Sequence, residues 1–182
     1  MDTLLVRIAL ATFSLSLSLA ALAQVPHYAP APKELIQDVL KRNPVREGDT
    51  PRYSCAWLDL NGDRVEEAIL WSSASAEGRL FDGGNRYDGF VVYQKTSKGY
   101  RYIGGGLYGR DTEQIGVLKT STGKWLDLAS YKFSYGDAKN PRNNYWYRCR
   151  YGIKGYASDE AVLKTSPKLL LNRANVPSYP VL

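Results

Sequence analysis

The stretch "YSCAWLDLNGDRVEEAILWSS", residues 53 to 73, carries two signals at once. Its outer parts, "YSCAWLDL" and "EAILWSS", are apolar, β-branched or aromatic runs of strand length. Its centre places Asp59, Asn61, Asp63, Glu66 and Glu67 within nine residues. Two strands around a polar connection predict an antiparallel hairpin. Acidic groups packed this closely repel one another unless a cation or a basic partner lies between them.

The same rhythm continues along the chain. "GFVVYQK" and "YRYIGGG" flank "TSKG"; "IGVLKT" and "WLDLASYKF" flank "STGK"; "YWYRCRYG" and "GYASD" flank "IK". Together with the first unit these make four hairpin-like units. The 14 Tyr and 4 Trp suit a pleated, half-buried surface. The expected fold class is all-β, with antiparallel hairpins in a meander, as in a propeller blade or a sandwich. One amphipathic helix is expected before it. "PKELIQDVLKRN" puts Leu35, Ile36, Val39 and Leu40 on one face, with Pro32 at its start and Asn43-Pro44 at its end. The Gly-rich loop "SSASAEGRLFDGGNRYDG" interrupts the strands. "EAVLKTSPKLLLNR" reads either as a helix broken by Pro167 or as a final strand.

The chain has 182 residues, which suggests one domain. Arg7 is followed by "IALATFSLSLSLAALA", and Ala21-Leu22-Ala23 fits a small-x-small cleavage pattern. Residues 1–23 are therefore expected to be a signal peptide, with an uncleaved anchor as the alternative. Residues 24–32, "QVPHYAPAP", read as a flexible linker, and residues 33–182 as a single β-rich domain including the helix. The expected location is periplasmic or secreted. Under oxidising conditions Cys55 and Cys149, the only two cysteines, are expected to form a disulfide; two buried thiols are the alternative. The net charge of +6 permits anionic partners and is equally consistent with solubility alone. Export argues against nucleic acid. The only histidine is His27, in the Pro-rich leader, so a His-based triad or zinc site within the domain is not expected. No pair of carboxylates stands out for glycosidase chemistry, and "YIGGGLYG" lacks the Lys-Ser/Thr of a phosphate loop. The expected role is binding, not catalysis.

Two readings of the acidic segment stand side by side. Asn61-Gly62 is a favoured type I′ hairpin turn, with the acids as solvated charge. Alternatively, calcium loops place oxygen ligands at alternate positions, here Asp59, Asn61, Asp63, the Val65 carbonyl and Glu67. Position 12 is Leu70, so the bidentate Glu of a helix-loop-helix hand is missing. The pattern D-L-N-G-D-x-x-x-E-x-x-L between two strands resembles the calcium loop of FG-GAP and VCBS-type β repeats. The resemblance covers roughly residues 53 to 156. It implies calcium as the bound ion. The hairpins after the loop look like those of small exported bacterial proteins, some similar to periplasmic lysozyme inhibitors and toxin-immunity proteins. That implies a protein partner, a wall-degrading enzyme. Two departures stand out: Arg64 replaces the usual Gly, and Glu67 replaces the usual Asp. A glycan- or wall-binding module and a structural module without a dedicated ligand are the alternatives.

"YGDAKNPRNNYWYRCRY" interleaves Tyr and Trp with Lys139, Arg142, Arg148 and Arg150. Alternation puts Trp146, Arg148 and Arg150 on one face, and Tyr147, Cys149 and Tyr151 on the other. With Cys149 inside, the first three are the expected partner-binding surface; a strand with an ordinary core face is the alternative.

Overall fold

The computed structural model describes residues 25–42, 44, 47–48, 50–72, 88–107, 112–132, 145–167, 169–172 and 175–181. The expected signal peptide, most of the long Gly-rich loop, and Tyr135, Lys139 and Arg142 lie outside them.

The chain is mostly β, folded as a curled half-barrel sheet of antiparallel hairpins. The elements are β1 (His27–Tyr28), α1 (Lys33–Arg42), β2 (Arg52–Leu58), β3 (Glu67–Ser72), β4 (Asp88–Thr96), β5 (Gly99–Leu107), β6 (Thr112–Thr122), β7 (Trp125–Lys132), β8 (Tyr145–Gly152), β9 (Gly155–Leu163), β10 (Leu169–Leu170) and β11 (Tyr179–Pro180). The four expected hairpins are β2–β3, β4–β5, β6–β7 and β8–β9. The last three close with two-residue turns, since Thr96 pairs with Gly99, Thr122 with Trp125 and Gly152 with Gly155.

The strand order is β1-β2-β3-β4-β5-β9-β8-β7-β6-β10, with β11 also on β2. The chain thus builds one meander, β2 to β5, and a second, β6 to β9, joined by a parallel contact between Gly104 and Tyr156. Glycine is required at this seam. Gly104 and Gly155 both have left-handed backbones (φ +105° and +101°), and a Cβ on either would strike the opposing backbone. The glycine run of "YIGGGLYG" is therefore a packing feature of β5: a Cβ on Gly105 or Gly106 would run into Phe90.

Two apolar clusters hold the sheet, one on each face. The inner one joins both meanders through Leu58, Leu60, Ile69, Phe90, Ile103, Ile115, Leu128 and Tyr156. The other lies under α1 and contains Leu35, Val39, Tyr53, Leu70, Val91 and Tyr93. Neighbours in β3 and β4 alternate between them, Ile69 inward and Leu70 toward the helix, so these strands read as unbroken apolar runs. Arg42 fixes the end of α1 by bonding Asp38 (2.7 Å) and stacking its guanidinium 4.6 Å from the Tyr102 ring.

Two expectations are corrected here. Residues 27–28 of the supposed linker pair with β2, and the Tyr28 hydroxyl donates to the Leu171 carbonyl at 2.7 Å. The leader is stitched to the domain because its Tyr finds a buried acceptor. Second, Cys55 and Cys149 are both buried thiols that are not joined in a disulfide. Cys55 points into the cluster under α1 and Cys149 into the inner cluster, so opposite faces of the sheet keep them apart.

Candidate metal centre

Leu58 and Glu67 form the last pair of the β2–β3 ladder, which leaves residues 59–66 as the connection. That is too long for a two-residue turn. The positive-φ residues are Gly62 (77°) and Arg64 (69°), not Asn61 and Gly62, so the type I′ reading fails.

The connection is organised by its own side chains. Asp59 Oδ1 accepts from the backbone N–H of Asn61 (3.2 Å) and Gly62 (2.7 Å), and Oδ2 from Arg64 (2.8 Å). Asn61 Oδ1 accepts from the Asp63 N–H at 2.9 Å, and Asp63 Oδ1 from the Val65 N–H at 2.9 Å. Three successive alternate residues thus each hold the backbone two positions on. The curl forces a left-handed conformation on Arg64, which a side chain adopts at a cost of about 1 kcal/mol.

Glu67 closes the loop from behind. It is fully buried, with Oε2 accepting from the Leu60 N–H (2.8 Å) and Oε1 from Asn61 Nδ2 (3.1 Å). Burial pushes its pKa up to about 8; the Leu60 hydrogen bond works against this, repulsion from Asp63 and Asp59 adds to it, and Lys124 offsets part. Leu60 lies in the inner core, and its carbonyl accepts from the Leu126 N–H at 2.7 Å, tying the loop to β7 across the curl.

The five expected ligands are therefore neighbours but not yet a coordination shell. Asp59, Asn61 and Asp63 share one curl, Val65 is exposed at its end, and Glu67 faces Leu60 and Asn61. Among the described residues no three His, Cys, Asp or Glu side chains gather closely enough to hold a metal. The donor chemistry suits calcium in kind, since every group is a hard oxygen and Asp63 Oδ1 keeps a lone pair beside its one hydrogen bond, whereas Asp59 Oδ1 already accepts two.

Beside the loop lies a groove of about 670 Å³ that sequence patterning did not reveal. Trp57 and Tyr100 line it, their ring centroids 6.0 Å apart, along with Asp59, Glu66, Arg64 and Lys95. Its residues come from three separate segments that meet only once β1 to β5 are paired in order, and no local pattern signals that.

The three residues of the expected surface on β8 differ in exposure. Trp146 is buried, its ring 5.1 Å from that of Tyr131, while Arg148 is half-buried and Arg150 exposed. The outer face of β8 is covered at this end because Trp146 pairs directly opposite Tyr131 on β7. No family model, curated protein or solved structure matches the chain.

Proposed function

We propose that this is an exported, calcium-braced binding protein whose protein partner is a wall-degrading enzyme. The observation that supports the calcium part is the run of side-chain caps at Asp59, Asn61 and Asp63, which holds three oxygen-bearing groups on one curl. In this reading Asp59, Asn61, Asp63 and the Val65 carbonyl hold the ion, and Glu67 contributes by ionising when the cation is present. A bound calcium supplies positive charge that cancels the repulsion among these acids. The loop also lends Arg64, Val65 and Glu66 to the groove, so the ion would set the shape of a recognition surface.

The test is inhibition of a panel of lysozyme-type hydrolases, with calcium and with chelator. Stoichiometric inhibition that needs calcium is the expected result. The groove with Trp57 and Tyr100 favours a second reading, a glycan- or wall-binding module in which the rings meet sugar faces. Sedimentation with insoluble peptidoglycan, without inhibition of any hydrolase, would establish that reading instead. Neither result would leave a structural module.

A further inference from the structure

The sheet brings four connections to one end. Ala68 pairs antiparallel with Tyr93, so the start of β3 and the β4–β5 turn lie together. β5 and β9 run parallel, which places the β8–β9 turn at that same end, and the β7–β8 ladder adds the β6–β7 turn. Each connection presents one exposed cation: Arg64, Lys98, Lys124 and Lys154. None of the four is in an ion pair among the described residues. The exposed large apolar side chains of the described residues are Val25 (79 %), Val65 (40 %) and Ile153 (107 %). All three lie on this rim, Val25 because the antiparallel pairing of β1 carries it toward Asp59.

We propose that this rim docks on an anionic lipid surface. Two of the connections pair an apolar tip with a cation next to it, Arg64-Val65 and Ile153-Lys154. That combination suits a headgroup layer, where the cation meets phosphate and the apolar group enters the interface. Neighbouring turns are two strands apart, roughly 10 Å, so the contacts are spread along the rim. A partner with a single pocket would engage one tip; a continuous anionic layer engages all of them. Exposed Asp63 and Glu66 oppose the attraction, and Glu66 lies 3.7 Å from a His27 ring nitrogen. The four cations outnumber them, and each cation near an anionic surface is worth about a fivefold gain in partitioning.

Sedimentation of residues 24–182, the protein without its expected signal peptide, with vesicles tests this. The protein is expected to pellet with an equimolar mixture of phosphatidylcholine and phosphatidylglycerol, not with phosphatidylcholine alone, and to be released by high salt. Lys98→Gln combined with Lys154→Gln should weaken partitioning by about thirtyfold. Ile153→Ser should weaken it severalfold with no change in melting temperature, because the side chain is fully exposed. Equal recovery on both vesicle types, no recovery on either, or variants that pellet like wild type would overturn the proposal. Retention on immobilised poly-glutamate without vesicle binding would assign the rim to an acidic protein and overturn it equally.

Discussion

Glu67 sits fully buried with its pKa raised to about 8 and, among the described residues, no cation in an ion pair with it. A carboxyl raised in the fold favours the native state when protonated. That contribution is complete below the unfolded value of 4.5 and is lost as pH rises through about 8. Chelated protein should therefore lose stability across this window, on the order of a few kcal/mol. Glu67→Gln should flatten the profile, as followed by denaturant unfolding at a series of pH values. An unchanged slope would show that another group carries it. If calcium binds, it favours the ionised carboxylate, so its affinity should rise through the same window. Arg64 gives a second prediction. Its left-handed φ of 69° is a conformation glycine adopts freely, so Arg64→Gly should stabilise by about 1 kcal/mol at most. It should also tighten calcium binding by removing a like charge, which calorimetric titration would measure. At this scale the sequence was informative about residue type and less so about direction. Alternating oxygens marked the loop, but whether Glu67 faces an ion or the Leu60 N–H depends on how Leu60 is drawn into the core.

Hairpins with two-residue turns are local, so strand runs around "TSKG", "STGK" and "IK" were readable without knowledge of the rest. The seam between β5 and β9 is not local. It joins residues about fifty positions apart, and in the sequence its only mark is glycine. Gly155→Ala should destabilise by about 3 kcal/mol or more, because a left-handed backbone and a clash with the Ile103 carbonyl act together. Gly123→Ala is the control, since among the described residues nothing lies within contact of a Cβ there and only the turn conformation is strained. Comparable losses for the two, by chemical denaturation, would mean the seam is not closely packed. The burial of Trp146 on β8 was illegible for a related reason. Alternation assigned Trp146, Arg148 and Arg150 to one face correctly, but it cannot say that Tyr131 on the next strand covers the Trp.

Across the whole molecule the sheet is buried on both faces over β2 to β4, and this separates the two thiols. Burial pushes the Cys55 thiol well above its usual pKa, which makes it unreactive. A reducing agent should leave the melting temperature unchanged, and thiol titration after denaturation should count both cysteines; a single shift on reduction would restore the crosslink. Cysteine number and compartment could not give this, because a disulfide is a statement about which faces meet. The all-β class was legible because strand runs outnumber everything else, while the curl, the parallel seam and the rim emerge only from strand order. The central claim, a loop braced by calcium, is tested most directly by melting curves in calcium, in magnesium and in chelator. Calcium at a hundredfold excess over Kd should stabilise by about 2.7 kcal/mol and raise the melting temperature by several degrees. Magnesium should do less, because it keeps its waters, and Asp63→Ala should abolish the response. Identical wild-type curves in calcium and in chelator would contradict the account and leave Asp59, Asn61 and Asp63 as caps of a self-sufficient loop.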